Sequence, residues 1–204
     1  MLQLRTIEPH TLDLLKALMQ IPILTSHFLV GGTSLALQMG HRYSVDLDLF
    51  SHQAFDAEAI LTELNKHFRV QPLTINNTIF ICVVDGIKVD LVHFRYPFAY
   101  PIIQTEGVRL ADIRDIAPMK LDAVTKRGSK KDFFDMYYLF ERYSLNQILE
   151  FYQQMFRHST SFHVIRSLTY FEDAETSEMP IIFDTQLTWQ AVKNKMIETV
   201  KAIL

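Results

Sequence analysis

Early in the chain, two glycines separate a short apolar run from an amphipathic segment, and this arrangement limits the fold more than any other part of the sequence. Residues 28–30 are apolar and predict a strand, and Gly31 and Gly32 directly after them predict a tight turn. A short helix is expected to follow, with Thr33 or Ser34 as its N-cap. A strand, a glycine turn and a helix in immediate succession indicate a layered fold that contains both strands and helices.

Residues 44–50 alternate between apolar and polar side chains, which is typical of a β-strand with two different faces. Asp46 and Asp48 share the polar face and lie side by side. At neutral pH, two adjacent carboxylates repel each other unless a cation lies between them. A hard cation with oxygen ligands, above all a Mg²⁺ ion that also binds substrate phosphates, is the natural occupant. The apolar face consists of Val45, Leu47 and Leu49.

The glycine pair adds a second chemical feature to this region. Two glycines let the backbone approach a phosphate closely, and the N-terminus of the next helix offers free N–H groups. A Gly-Gly pair alone is usually only a turn, and an Asp-x-Asp sequence alone is commonly a solvated strand face. Their conjunction favours a nucleotide and metal site formed by Gly31, Gly32, Thr33, Asp46 and Asp48.

The rest of the chain changes from mixed structure to helices. Residues 78–94 carry the clearest hairpin signal, because two apolar runs flank Asp85-Gly86, a pair that suits a type I′ turn. Helical spacing predicts helices over 9–20, 57–68, 112–126, 130–143, 145–156, 162–170 and 187–203. The expected fold class is therefore α+β. A small mixed β-sheet flanked by helices occupies 1–105, and a helical C-terminal region that packs on this core occupies 106–204.

Composition excludes several classes of protein. The single cysteine, Cys82, cannot form an internal disulfide and rules out a cysteine metal cluster. The N-terminus lacks the pattern of a signal peptide, and no apolar run approaches the ~20 residues of a membrane span. We therefore expect a cytoplasmic protein with no membrane partner. The formal net charge of −3 argues against a chain coated in basic surface for wrapping nucleic acid.

The segments 31–38, 40–42 and 44–50 resemble the AbiEii/AbiGii-type nucleotidyltransferase toxins, a branch of the polymerase-β-like nucleotidyltransferase superfamily. The resemblance continues in 119–124 and 130–135 and, more weakly, in 167–175. It implies a nucleotidyltransferase fold and an Mg²⁺-dependent enzyme that moves a nucleoside monophosphate from an NTP to a hydroxyl. It also implies the toxin of a toxin–antitoxin or abortive-infection pair, with a separately encoded antitoxin.

The resemblance implies a third carboxylate on a neighbouring strand, and Asp90 in the second arm of the hairpin is the candidate. The alternative is an edge-strand aspartate that faces water. If Asp90 meets Asp46 and Asp48, the three carboxylates could hold two metal ions. Asp90 would then be the partner of the attacking hydroxyl.

The resemblance also implies that Lys120 reaches the triphosphate, where charge develops on the leaving group. It further implies a functional acidic residue after this lysine. Asp132 and Asp135 share a helix face and are both candidates, and we favour Asp135. Either carboxylate could also orient Lys120 or Arg127.

Two arginines and a serine complete the candidate residues. Arginine makes forked hydrogen bonds to phosphate, so Arg42 suits a triphosphate clamp, with a surface salt bridge as the alternative. Ser44 either binds a phosphate or orders the loop. Arg127 belongs to a group of four cations within 126–131. This group is either a local patch for an RNA acceptor or a triphosphate, or a solvated turn between helices.

Together these features predict a nucleotidyltransferase, and the family suggests RNA, such as a tRNA 3′ end, as the hydroxyl acceptor. Two alternatives stay open at this stage. One is nucleotidyl transfer to a small molecule or a protein. The other is a non-catalytic nucleotide-binding or partner-binding module on the same fold, which a large separation of Asp90 from Asp46 and Asp48 would favour.

Overall fold

A computed structural model describes residues 1–157 and 161–203 of the protein. The described residues form two compact units. The first unit consists of 1–40, 44–97 and 101–112, and the second of 41–43, 98–100 and the described residues from Ile113 onward. The predicted boundary after residue 105 falls in the turn of a hairpin that belongs to the first unit. The assignment of a catalytic core and a helical region packed on it stays a prediction.

All strands of the described chain lie in the first unit, in one seven-stranded sheet. They are β1 (Phe28–Leu29), β2 (Leu47–Ser51), β3 (Val70–Ile75), β4 (Ile79–Val84), β5 (Ile87–His93), β6 (Ile103–Thr105) and β7 (Val108–Leu110). Their spatial order is β3-β4-β5-β2-β1-β7-β6. The sheet is mixed, because β2 runs parallel to β5 and β1 parallel to β7 while the other neighbours are antiparallel. This confirms the predicted fold class.

Three α-helices accompany the sheet in the first unit: α1 (Pro9–Gln20), α2 (Gly31–Met39) and α3 (Ala57–Leu64). The apolar residues of α1 and α3 join one buried cluster with alternate residues of the central strands. Alternation puts side chains of period two on one face of a sheet. The core therefore covers one face of the sheet, and the polar residues that alternate with it lie on the other face.

The β4–β5 hairpin has the predicted turn. Asp85 and Gly86 both have positive φ, at 48° and 88°, as a type I′ turn requires. Val84 pairs with Ile87 across this turn. Strands β3, β6 and β7 were not predicted. β3 is exposed along most of its length, so it lacks the apolar alternation that identifies a strand.

The second unit is helical and contains α4 (Ile113–Lys126), α5 (Lys130–Phe140), α6 (Leu145–Met155), α7 (Ser161–Ser167), α8 (Glu172–Glu175) and α9 (Trp189–Lys201). Trp189 lies among the rings of Phe133, Phe134 and Phe171, with centroid distances of 5.6, 6.1 and 5.9 Å. This aromatic cluster joins α5, α8 and α9. The short α8 was not predicted.

Two short segments from the first half of the chain belong to the second unit. Residues 41–43 pair with 181–183: Arg42 forms an antiparallel bridge with Ile182, and the Tyr43 N–H donates to the Ile181 carbonyl at 2.8 Å. The backbone N–H groups of Ala99 and Tyr100 donate to the buried Asp115 carboxylate of α4 at 2.8 and 3.1 Å. The pairing with 181–183 holds His41 and Arg42 within the helical unit.

Among the described residues, none of the helices combines the length and the apolar character needed to cross a membrane.

His27 is buried in the first unit with both ring nitrogens lacking a hydrogen-bond partner among the described residues. Its ring contacts Phe55 at a centroid distance of 5.4 Å. Burial, with a smaller effect of the Arg109 charge, lowers the pKa of His27 from 6.5 to about 4. The folded protein therefore holds this imidazole neutral.

Replacement of His27 by Phe should remove a pH dependence of stability. Between pH 6.5 and 4 the unfolded chain binds a proton at this histidine and the folded chain does not, so stability falls as the pH falls. The loss from pH 7 to pH 4 should be about 3 kcal/mol at this site. Urea unfolding at several pH values should show a shallower acid loss of stability in His27→Phe than in wild type. An unchanged slope in His27→Phe would contradict the prediction.

Candidate active site

Asp48 and Asp90 lie directly opposite each other on the parallel strands β2 and β5. Their neighbours on the two strands, Leu47, Leu49 and Leu91, are buried in the core, so both aspartates lie on the other face of the sheet. Neighbouring strands are about 4.8 Å apart, which places the two carboxylates side by side. β5 lies between β4 and β2, so Asp90 is not the edge-strand residue of the alternative interpretation.

Asp46 precedes the strand instead of lying in it. β2 begins at Leu47, and Val45, which the alternation placed on the apolar face, is 50% exposed. The predicted strand over 44–50 was therefore wrong at its start. The Asp46 carbonyl accepts a hydrogen bond from the Thr33 hydroxyl, whose oxygen is also 2.9 Å from Ser44 Oγ. These buried hydroxyls order the segment that leads into the strand.

The predicted cap of α2 was also wrong. α2 begins at Gly31 with Val30 as its N-cap, so neither Thr33 nor Ser34 caps it. The Ser34 hydroxyl instead accepts a hydrogen bond from the Gln38 amide at 3.1 Å. The glycines thus form the first turn of the helix, not a turn before it.

Gly31 is required by the position of Asp48. Its φ is +68°, a left-handed conformation that residues with a side chain rarely adopt. A Cβ atom at Gly31 would lie 2.1 Å from Asp48 Oδ2 and 2.9 Å from its Cγ. The backbone of α2 therefore approaches the Asp48 carboxylate too closely for any side chain. The role of Gly31 and Gly32 toward a phosphate stays a prediction.

Lys88 was not singled out from the sequence, and its side chain contacts Asp90. Its Nζ donates to Asp90 Oδ2 at 2.7 Å, while Asp90 Oδ1 is buried without a hydrogen-bond partner among the described residues. Burial acts to lower the pKa of Lys88, but the hydrogen bond and charge of Asp90, with the charges of Asp46 and Asp48, raise it. A lysine two residues before Asp90 on a strand shares its face, and that spacing is the signal that could have identified it.

The donor set of this face fits a divalent cation. Carboxylate oxygens are the ligands that Mg²⁺ prefers, Asp48 and Asp90 are paired, and one oxygen of Asp90 lacks a partner within the described residues while the other binds an ammonium. In 1–157 and 161–203, no group of three or more His, Cys, Asp or Glu side chains is arranged to hold a metal ion. The three-carboxylate site of Asp46, Asp48 and Asp90 therefore stays a prediction.

In the second unit, the fully buried Asp135 on α5 binds three cationic or imidazole groups. Its carboxylate accepts from Arg42 Nε at 2.6 Å and Nη2 at 3.0 Å, from Lys120 Nζ at 2.6 Å and from His41 Nε2 at 2.8 Å. Burial alone would raise the pKa of Asp135, but the charges of Arg42 and Lys120 and the hydrogen bonds of His41 and Arg42 hold it well below 3.8. Asp135 thus orients all three side chains as a carboxylate.

Asp132 lies one helical turn before Asp135 and organises a second cation. Arg127 donates to it from Nε at 2.8 Å and from Nη2 at 2.9 Å, and Ser129 donates at 2.6 Å. Despite burial, which acts to raise it, the hydrogen bond from Arg127 and the charge of Lys120 lower the pKa of Asp132 to about 2. The expectation that Asp132 and Asp135 orient Arg127 and Lys120 matches these contacts.

His41 is neutral in this cluster. Burial lowers its pKa, although the hydrogen bond and charge of Asp135 oppose that shift. The buried charges are then two carboxylates, Asp132 and Asp135, and the cations Arg42 and Lys120, with the half-exposed Arg127 beside them. Three cations against two anions leave one positive charge in excess.

Of the four cations in the predicted basic patch at 126–131, three have partners within the protein. Lys126 pairs with Asp122 at 2.7 Å, and Arg127 pairs with Asp132. The Lys130 ammonium is buried and donates to the carbonyls of Glu175 and Ser177 at 2.8 and 2.6 Å. Lys130 therefore connects α5 to the 175–177 segment and does not contribute to a surface patch.

Sequence comparison assigns the chain to a protein family. The profile of the AbiEii nucleotidyltransferase toxins, which belong to type IV toxin–antitoxin systems, matches residues 13–101. An uncharacterised protein of Aquifex aeolicus is 30% identical over 207 residues, and the match covers 98% of this chain and 99% of that protein. The chain belongs to the AbiEii nucleotidyltransferase toxin family.

Solved structures share the fold. A candidate nucleotidyltransferase from Helicobacter pylori matches with a TM-score of 0.60 and 16% identity, over 96% of this chain and 95% of that chain. MenT4, a nucleotidyltransferase toxin of Mycobacterium tuberculosis, matches with a TM-score of 0.58 and 17% identity, over 95% and 86%. At these identities the likeness concerns the fold, and membership of the AbiEii family identifies the chain as a nucleotidyltransferase.

The segment that matches the AbiEii family contains the glycine pair and the three candidate aspartates. Lys120, Asp132 and Asp135 lie beyond it. The structure brings Asp48 and Asp90 together within the first unit, and Arg42, Lys120 and Asp135 together within the second. The catalytic and substrate roles of all these residues stay predictions.

Replacement of Gly31 by Ala should displace the Asp48 carboxylate, because the new Cβ would overlap Oδ2. We expect nucleotidyl transfer to fall about 100-fold, as when one charge-stabilising group is lost from an active site. Thermal unfolding should also show a loss beyond the ~1–2 kcal/mol of a left-handed alanine.

The matched control is Gly107→Ala in the β6–β7 turn. Gly107 has a similar φ of +80°, but no atom lies within 4 Å of the position that a Cβ would take there. This variant should carry the backbone strain alone and keep its activity. Equal stability and equal activity of the two variants would show that the approach to Asp48 is unimportant.

Proposed function

We propose that this AbiEii-family toxin transfers a nucleoside monophosphate from an NTP to a hydroxyl of an acceptor, with release of pyrophosphate and a requirement for Mg²⁺. The observation that carries the proposal is the side-by-side placement of Asp48 and Asp90 on the polar face of the sheet. Two carboxylates at this spacing repel each other unless they share a cation. A nucleotide triphosphate brings such a cation with it.

The carboxylates have distinct positions within this scheme. Asp48 and Asp90 would hold Mg²⁺, and Asp46, two residues before Asp48, would complete the set. When bound, one or two Mg²⁺ ions would draw the α-phosphate, activate the attacking hydroxyl and neutralise the pyrophosphate. Asp90 would lie beside the attacking hydroxyl and accept its proton. Gly31 and Gly32 would bring the N-terminal N–H groups of α2 to the phosphates.

The cations proposed to bind the triphosphate lie in the second unit. Asp135 holds the Arg42 guanidinium through two hydrogen bonds and the Lys120 ammonium through one, so both cations are oriented before substrate arrives. Preorganised cations stabilise charge that develops on a leaving group without reorganisation. We therefore assign Lys120 and Arg42 to the triphosphate and Asp135 to positioning them. Arg127 and Asp132 would bind the substrate at the margin of this cluster, and Ser44 would bind a phosphate or order the loop.

The acceptor is proposed to be RNA, with a tRNA 3′ end as the specific candidate. This proposal follows from family membership. It gives the protein a role as the toxin of a toxin–antitoxin or abortive-infection pair, held in check by a separately encoded antitoxin. NTP and RNA substrates are cytoplasmic, and we place the activity there.

Transfer of label from each α-³²P-labelled NTP to total RNA, to purified tRNA, to small-molecule hydroxyls and to the protein itself tests this function. Wild type with Mg²⁺ should label RNA from one or more nucleotides, and EDTA should abolish the label. Asp48→Asn and Lys120→Gln should each reduce transfer about 100-fold or more, since each removes a group that stabilises transition-state charge.

The matched control is Asp13→Asn, which makes the same chemical change at an exposed residue of α1 and should keep full activity. Full transfer by Asp48→Asn would contradict the assignment of the metal-binding carboxylates. Nucleotide binding by wild type without transfer to RNA, protein or small-molecule hydroxyls would contradict the transferase itself.

A further inference from the structure

Lys88 lies on the carboxylate face of the sheet in the first unit. Side chains two residues apart on a strand share a face, so Lys88 and Asp90 lie next to each other on β5. In the parallel register Leu47 pairs with Val89 and Asp48 with Asp90. Lys88 therefore lies beside Asp90, directly across from the strand that carries Asp48.

The Lys88 ammonium contacts one of the two oxygens of the Asp90 carboxylate. It lies 2.7 Å from Asp90 Oδ2, in an ion pair whose side chains are 44% and 19% exposed. Asp46 and Asp48 also act on it electrostatically. Lys88 against the carboxylates of Asp48 and Asp90 leaves these three side chains with a net charge of −1. A divalent cation would neutralise both carboxylates, whereas the lysine neutralises one.

We propose that Lys88 is the resident counterion of the carboxylates in the metal-free protein, and that a divalent cation must displace its ammonium from Asp90 to bind. This inference rests on the proposed function, from which it takes the metal site. Lys88 thereby sets the metal affinity of the enzyme. It holds the carboxylates together before the metal-bound nucleotide arrives, and it is a positioning residue, not a catalytic one.

The physical basis is competition for one carboxylate. The ammonium lies on Asp90 Oδ2, and a metal ion on either oxygen of the same carboxylate would lie close to it and be repelled. A half-exposed lysine has a long flexible side chain, so its release into solvent costs little. Removal of its charge should therefore strengthen metal binding, although it weakens the metal-free fold by leaving the carboxylates to repel each other.

Binding of Mn²⁺ alone to the full chain, followed by the electron paramagnetic resonance signal of free Mn²⁺, tests the proposal. Lys88→Gln should bind Mn²⁺ about two- to fivefold more tightly than wild type, the range expected for loss of one partly exposed ion pair. Lys88→Arg keeps the cation and should keep the wild-type affinity. Mg²⁺ should displace Mn²⁺ with the same order of affinities.

Thermal unfolding gives a second readout. Without metal, Lys88→Gln should melt below wild type, and its melting temperature should rise more on addition of Mn²⁺. The matched control is Lys66→Gln, which breaks an exposed ion pair with Glu63 of the same 2.6–2.7 Å length in the same unit. It should change neither the Mn²⁺ affinity nor the metal-induced rise.

The outcomes separate this inference from the proposed function. Equal or weaker Mn²⁺ binding by Lys88→Gln, with Mn²⁺ binding by wild type intact, overturns the role of Lys88 and leaves the transferase standing. Weaker NTP binding with unchanged Mn²⁺ affinity also overturns it, because Lys88 would then be a substrate ligand. Failure of wild type and every variant to bind Mn²⁺ overturns the metal site itself and the proposed function with it.

Discussion

The parallel pairing of β2 with β5 is the interaction on which the candidate active site depends. These strands are not consecutive, since α3, β3 and β4 lie between them in the chain. Their register is set by the core, because Leu47, Leu49, Val89 and Leu91 must all face α1 and α3. A shift of one residue would turn these leucines and valines outward and bury Asp48 or Asp90, at a cost of several kcal/mol for an unpaired carboxylate. Hydrophobic burial thus places two like charges side by side.

Like charges at that distance need compensation, and the first unit provides it in two ways. Gly31 lets the α2 backbone approach Asp48 closely, and Lys88 supplies an ammonium to Asp90. In the second unit the like charges are cations, and a carboxylate compensates them. There Asp135 is a buried carboxylate that gathers Arg42 and Lys120 and keeps them oriented. Each unit therefore holds a preorganised set of charges, one suited to a metal ion and the other to phosphate.

Local sequence patterns were enough to predict much of this structure. Spacing and turn chemistry over a few residues predict the bounds of α1 and the two positive φ angles of the β4–β5 turn. They also predict the alternation of β2, in which Asp48 lies on the face opposite Leu47 and Leu49. The start of β2 could not be predicted in this way. The Ser44 hydroxyl contacts the Thr33 hydroxyl, and Val45 is exposed and not part of the strand. The polar, exposed β3 offered no apolar alternation from which to predict it.

The chemistry that escaped prediction depends on distant pairs. Arg42 and Asp135 are 93 residues apart in the sequence, and no local rule shows that they meet. The reason for Gly31 is also non-local, since the group that excludes its side chain is the carboxylate of Asp48. Lys88 lies two residues from a candidate ligand, but a lysine on a strand carries no local signal of an ion pair, and its contact with Asp90 is seen only in the folded chain.

The most direct test is a crystal structure of the protein soaked in Mn²⁺, with data collected for anomalous scattering. The predicted result is an anomalous peak in contact with the carboxylates of both Asp48 and Asp90, with the Lys88 ammonium moved away from Asp90 Oδ2. A fully occupied Mn²⁺ site elsewhere, with the Lys88–Asp90 ion pair intact, would contradict the assignment of this carboxylate pair as the metal centre.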